Sequence, residues 1–262
     1  MMGAIDSVME NADYFTLMLF RVGALVVTSP IFGRVNIPAR AKVGLVIALS
    51  YLFLTMYPNS QPFVYTTLSG FLLVVLGEFL LGITLAFITN IFFTLIFTAG
   101  QMIDMQIGFG IVNVYDIQNN TQIPMMGNVL NLMMLIVFFA VDGHLRLIEM
   151  LTMTVERMPV GSLGFSPGIG IATAELFTKS FMLGIMVALP IVASGMTLEI
   201  AFGVIMRMVP QIHMFVVGIP LKMIVGLFVF SISLPVFVGF TNTIFTEMFV
   251  GMERVFELFR AN

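Results

Sequence analysis

The sequence predicts an all-α fold: about six long apolar helices, some kinked, arranged as membrane-embedded hairpins. Composition is the first reason. Of 262 residues, 59% are hydrophobic and only 10% charged, with mean hydropathy +1.08, whereas a soluble domain carries roughly a quarter charged residues to cover its surface. Run length is the second, because several apolar runs reach the roughly 20 residues that take a helix across about 30 Å of hydrocarbon. Continuity is the third: a transmembrane barrel would alternate in segments of about ten residues, and these runs do not alternate.

The first run covers residues 14–32 and includes Arg21. The segment before it carries Asp6, Glu10 and Asp13 but no Lys or Arg, so it lacks the positive flank of a cleaved signal peptide and the first helix is expected to be retained. A basic connector, GRVNIPARAK, brings Arg34, Arg40 and Lys42. The second run, residues 43–57, is short for a span and ends at YPNSQP. The third, residues 68–97, holds Glu78. It exceeds a perpendicular crossing, so tilt, a kink or an extramembrane part must absorb the excess.

A polar interruption, QMIDMQIGFGIVNVYDIQNNTQIPMM, separates the third run from a fourth at residues 126–141, which ends at DGHLRLIEML. ERMPVGSLGFSPGIG, residues 156–170, is dense in Gly and Pro and marks the clearest boundary. The fifth run spans residues 176–205 with Pro190 inside it, and the sixth residues 214–240 with Pro220 and Pro235. These prolines predict bent or re-entrant hairpins whose freed backbone groups other protein must shield, and hence partners. In the tail, residues 242–262, the apolar Ile244, Phe245, Met248, Phe249, Val255, Phe256 and Phe259 oppose Glu247, Glu253, Arg254 and Glu257. That pattern predicts an amphipathic helix lying on membrane or protein.

Eleven Lys and Arg against fourteen Asp and Glu leave a net charge of -3. The basic residues are scattered singly, so no nucleic-acid footprint is expected. They also fall about equally on alternating sides of the runs, which leaves orientation open. The absence of cysteine excludes disulfides, iron–sulfur ligation and thiolate zinc sites. His144 and His213 lack a second ligand at helical spacing, and neither a GxSxG nucleophile turn nor a phosphate-binding glycine loop occurs. No catalytic, metal or cofactor site is expected.

Arg21, Glu78, Lys179, Glu199 and Lys222 fall inside apolar runs. A charge at mid-membrane costs about 3 kcal/mol on insertion scales, so such residues face a partner or water. Their scatter favours interhelical or interface pairing and snorkelling over a proton relay. A secondary transporter built on Arg21, Glu78 and Glu199 is the rival reading, and an intramembrane hydrolase a second, poorly served by Asp104 and Asp116 in or beside a glycine-broken loop. The glycines of the third and fifth runs, Gly70, Gly77, Gly82, Gly195 and Gly203, read as ordinary sites of close helix approach. The methionines, 23 in all, read as adaptable packing material.

Within the polar interruption, Gly108 and Gly110 flank Phe109 and precede Ile111, Val112, Val114 and Tyr115, followed by Asp116 and Gln118. Such a loop cannot face lipid with its backbone unsatisfied. It must be buried in protein or line an aqueous cavity. Bulky apolar tips on glycine hinges can close a pore by excluding water; a plain connector fits the same residues.

Three blocks in order, QIGFGIVNVYDIQNNTQ, then FFAVDGHLRLIEML ending at RMPVG, then RMVPQIHMFVVGIPLKMIVG, resemble the R subunit of the flagellar type III export gate, the FliR family, over essentially the whole chain. Asp142-Gly143-His144 leans towards the flagellar rather than the virulence-secretion branch. The chain departs from the family at Ile117, where Asp-Pro is common, and at Leu145, where a second histidine is common. The resemblance implies a non-enzymatic subunit of a helical hetero-oligomer, one copy joining five P and four Q subunits at the flagellar basal body in the bacterial inner membrane. Helices would lie partly on the periplasmic side, and the FlhA and FlhB export components, membrane lipid and unfolded flagellar proteins in transit are the further partners. It implies a P-like part at residues 1–155, a connector at 156–170 and a Q-like helical hairpin at 171–262. It also implies that residues 106–122 plug the channel, with Met125 and Met126 facing the lumen.

Overall fold

The computed structural model describes residues 11–57, 67–110, 124–161, 168–209 and 214–259. They form seven α-helices and no strand. In chain order these are α1 (Ala12–Thr28), α2 (Ala39–Met56), α3 (Leu68–Ile107), α4 (Met125–Ala140), α5 (Gly143–Arg157), α6 (Gly168–Met208) and α7 (Ile219–Phe259), with a π-helical turn at Met214–Gly218 leading into α7. The all-α fold is as the apolar runs predict.

The helices α2, α3, α6 and the segment Val216–Phe259 are long and apolar enough to cross a membrane, and α4 with α5 adds a fifth only if that pair, bent by 69°, counts as one span. Each of the six expected apolar segments forms a helix, but α4, with 16 residues, and α1 fall short of a span alone; α1, with 17 residues, buries Leu17, Met18, Val22 and Leu25 and carries Arg21 on the same face. Its apolarity serves packing within the chain. In α6 and α7, by contrast, only 22% and 17% of the most apolar window is buried. At about 25 cal/mol per Å² water would not tolerate those surfaces, and the protein is membrane-embedded.

The third run extends further than its hydropathy suggests. α3 has 40 residues, about 60 Å at 1.5 Å per residue, and continues through Gln101, Asp104 and Gln106. Thr84, Thr89 and Thr98 satisfy their hydroxyls on the carbonyls four residues back, at 2.8–2.9 Å, so polar residues ride inside the helix without breaking it. The helix ends at Gly108, whose φ of 100° is the left-handed conformation glycine adopts without strain, and whose N–H donates to Asp104 O at 3.1 Å.

The late prolines correct the expectation of re-entrant hairpins. Pro190 and Pro235 lie within helices that run on through them, and Pro220 follows directly on the π-helical turn Met214–Gly218, in a helical stretch that likewise runs on through it. The sharp bend sits instead at Asp142 (φ 56°, ψ 29°), between α4 and α5. α5 itself was not foreseen. It buries Leu147, Met150, Leu151, Thr154 and Val155 at the 3–4 residue spacing of an amphipathic helix, a period that a search for continuous apolar runs overlooks.

The tail is not a separate helix. Ile244, Phe245, Met248, Phe249, Val255, Phe256 and Phe259 are buried as the closing turns of α7, so their partner is protein. The charges of the basic connector fold back on it: Arg34 Nε donates to Pro30 O at 3.1 Å and Lys42 Nζ to Gly33 O at 2.8 Å.

Packing divides the chain into two compact units. The first comprises Met1–Ile91, Asp142–Leu176 and Glu247–Asn262, and its interior holds Leu17, Met18, Leu81, Leu85, Leu151, Met252 and Val255. The second comprises Phe92–Val141 and Phe177–Thr246. At its centre Phe138 makes edge-to-face contacts with Phe93 and Phe245, at 6.1 and 5.2 Å between ring centroids, a geometry worth about 0.5–1.5 kcal/mol per pair beyond area burial.

Candidate functional site

Two arrangements of polar residues stand out, one in each unit. In the first, Arg21 of α1 and Glu78 of α3 are both fully buried. Arg21 Nε donates to Glu78 Oε2 at 2.5 Å. Its two terminal nitrogens reach Met158 O at 3.4 and 3.3 Å, and Nη1 also reaches Thr154 Oγ1 at 3.4 Å. The other carboxylate oxygen, Oε1, accepts the Gly161 N–H at 2.8 Å. The pair therefore clamps α1, α3 and the end of α5 with no net buried charge. Gly82, one turn beyond Glu78, makes it possible: a Cβ there would strike the Arg21 carbonyl and lie 2.7 Å from Ala24 Cβ.

The second arrangement lies where α3 ends and α4 begins. α3 and α4 cross with backbones in contact at Gly100 and Gly127, and a Cβ on Gly127 would stand 3.0 Å from Phe97 O. One turn on from Gly100, Asp104 is 4% exposed. Its Oδ1 and Oδ2 accept the Met126 N–H at 3.0 and 3.1 Å, and the Gly127 amide is a further backbone partner. Asp104 thus lies on a helix, correcting its expected place in or beside a loop. Gln106, Gly108, Phe109 and Gly110 are described, with Phe109 and Gly110 still helical and half-buried. Ile111, Val112, Val114, Tyr115, Asp116 and Gln118 lie outside the described residues. Met125 is 56% exposed, whereas the Met126 side chain is 6% exposed and packs inside its own unit.

The remaining charges among the apolar runs are divided. Glu199 of α6 and Lys222 of α7 form an ion pair, with the lysine side chain 15% and the glutamate 45% exposed, and Lys179 is exposed. The Arg21–Glu78 and Glu199–Lys222 pairs lie in different units, and among the described residues no three His, Asp or Glu converge as a metal site would need. What the clusters can do is hold helices in register.

Sequence reasoning did not single out Gly100, Gly127 or the role of Asp104. The available signal was one face of α3: Gly100, Asp104 and Gly108 recur every four residues, the spacing of side chains stacked on a helix.

Compared with known proteins, residues 13–248 match the sequence pattern of the Bacterial export proteins, family 1. The chain is 30% identical to the flagellar biosynthetic protein FliR of Escherichia coli K12 over 231 residues, 88% of each chain. It is 29% identical to that of Aquifex aeolicus over 260 residues, 97% of each chain. To that of Bacillus subtilis it is 27% identical over 259 residues, 97% of this chain and 98% of the relative.

Proposed function

The chain belongs to the Bacterial export proteins, family 1, as a membrane-embedded component of the flagellar export apparatus, and from that premise we propose that it forms part of the channel through which unfolded flagellar proteins cross the inner membrane. The work is mechanical, and no residue performs a reaction. One copy joins five P and four Q subunits at the basal body, working with FlhA and FlhB, with its helices partly on the periplasmic side. Residues 1–155 take the P-like place, 171–262 the Q-like place, and 156–170 link them.

In this reading residues 106–122 obstruct the closed channel. Gly108, Phe109 and Gly110 begin the plug, Ile111, Val112, Val114 and Tyr115 supply its apolar bulk, and Asp116 and Gln118 let it withdraw into water. A hydrophobic constriction stops ions by expelling water, so apolar bulk is the chemistry that sealing requires. Met125, exposed at the foot of α4, is the methionine suited to line the lumen and conform to a passing chain; Met126 serves packing instead.

The observation that carries the proposal is the match to FliR relatives across nearly the whole chain, 97% of it for the Aquifex aeolicus protein. The outward apolar surfaces of α6 and α7 are those of a subunit that needs neighbours or lipid. A solute transporter would need Arg21, Glu78 and Glu199 free to bind and release, yet each is held in an ion pair. Purification from the membrane tests the reading: the chain should copurify with unlike membrane subunits in a fixed ratio. Recovery as a monomer or a symmetric homo-oligomer would contradict it.

A further inference from the structure

Within the second unit, residues of α3, α4, α6 and α7 line a cavity of about 280 Å³. Ile103, Leu130, Ile191 and Phe237 form its buried floor, whereas Met186, Ile232 and Val236 are exposed and mark where it opens outward. Ser233 is the one polar side chain of the lining, and its hydroxyl already donates to Val229 O at 2.8 Å. With no polar side chain left to offer a bond, the occupant that fits is hydrocarbon. An apolar cavity of about 150 Å³ is already enough to take up benzene.

The charges along α6 and α7 place this cavity in the bilayer. α6 is uncharged from Ser180 to Leu198 and α7 from Met223 to Thr246, lengths comparable to the roughly 30 Å of hydrocarbon. One end of both stretches is marked by the ion pair of Glu199 with Lys222. From Glu199 back to Ile191, and from Lys222 on to Phe230, the helices rise about 12 Å; to Met186 and Phe237 the rise is about 20 Å. A single leaflet of hydrocarbon is about 15 Å deep, so an acyl chain whose headgroup rests at the ion pair reaches the cavity. The Lys222 ammonium has three donors, of which Glu199 takes one, and a phosphate oxygen suits another. We propose that the second unit binds a membrane phospholipid, with its phosphate on Lys222 and one acyl chain in the cavity between α6 and α7. An apolar side chain of a neighbouring subunit is the other occupant of the right polarity. The ion pair one leaflet away favours the phospholipid, which joins a charged group to a hydrocarbon chain of that length.

The chain has no tryptophan, so Phe237→Trp places a fluorescent reporter in the cavity. The assembled complex is reconstituted in phosphatidylethanolamine vesicles brominated either near the chain end or near the headgroup, and the signal of the complex without the reporter is subtracted. The Phe237→Trp reporter should be quenched more by bromine near the chain end. Ser233→Phe fills the cavity; it should relieve that quenching and remove one phospholipid from the complex in native mass spectrometry. Lys222→Gln should weaken retention of that lipid about tenfold, the loss expected for one hydrogen bond to a charged group. Should Phe237→Trp or Ser233→Phe fail to assemble, Phe240→Trp and Val187→Phe take their places with the same expectations. A reporter that neither brominated lipid quenches overturns the proposal and assigns the cavity to a neighbouring subunit. Quenching that Ser233→Phe leaves unchanged also overturns it, since bulk lipid would then be the quencher. Retention unchanged in Lys222→Gln overturns the phosphate contact.

Discussion

Arg21 and Glu78, 57 residues apart in the chain, meet at 2.5 Å with neither side chain more than 1% exposed. Each is costly in an apolar interior alone, and together they fasten three helices. Removing one partner strands the other: Arg21→Ala should destabilise the protein by about 3–5 kcal/mol. The double variant Arg21→Met, Glu78→Met, which removes both charges and keeps apolar bulk, should lose less than either single change. Thermal unfolding of the detergent-purified complex measures this, and a double variant as unstable as the sum of the singles would contradict it.

The crossing of α3 and α4 depends on the absence of two side chains. A Cβ on Gly100 would collide with the backbone of Gly127, which cannot rotate away, whereas one on Gly44 of α2 meets nothing within 4 Å. Gly100→Ala should therefore cost about 1–3 kcal/mol through overpacking, seen as a lowered unfolding temperature. Gly44→Ala, a change that favours helix by up to about 1 kcal/mol, should leave that temperature unchanged or slightly raised.

Just beyond the end of α2, the Tyr57 hydroxyl donates to Glu156 Oε1 at 2.6 Å. That hydrogen bond, aided by partial desolvation and by the carboxylate charge, raises the Tyr57 pKa above its ordinary 10.0. Because the folded value is raised, the contribution is fully present below the ordinary tyrosine range and is lost as pH climbs through the raised value. Alkaline absorbance titration, with Tyr57→Phe subtracted, should show the Tyr57 transition moving down when Glu156 is replaced by Gln. An unmoved transition would mean that the bond does not form in solution.

The apolar runs disclosed the long helices because burial in lipid demands continuity, and that demand is written locally. They did not disclose α5, whose half-polar sequence declares itself only through the spacing of Leu147, Met150, Leu151, Thr154 and Val155. Nor did they place the end of α3, since Gln101, Asp104 and Gln106 look like a loop until Gly108 shows where the helix stops. Prolines misled for a related reason: the helices run on through Pro190, Pro220 and Pro235, and the real bend falls at Asp142, an L-residue whose short polar side chain tolerates the left-handed conformation. The pairing of Arg21 with Glu78, and of Asp104 with Met126, joins residues far apart in the chain. Composition could say only that buried charges need partners, not which partners they find.

The central claim is that residues 106–122 close a shared conduit, and the ion conductance of the assembled gate tests it most directly. With residues 110–119 deleted, the complex should still assemble with its other subunits and should conduct ions in liposomes where the wild-type complex does not. A deletion complex that forms normally and remains as tight as the wild type would contradict the account.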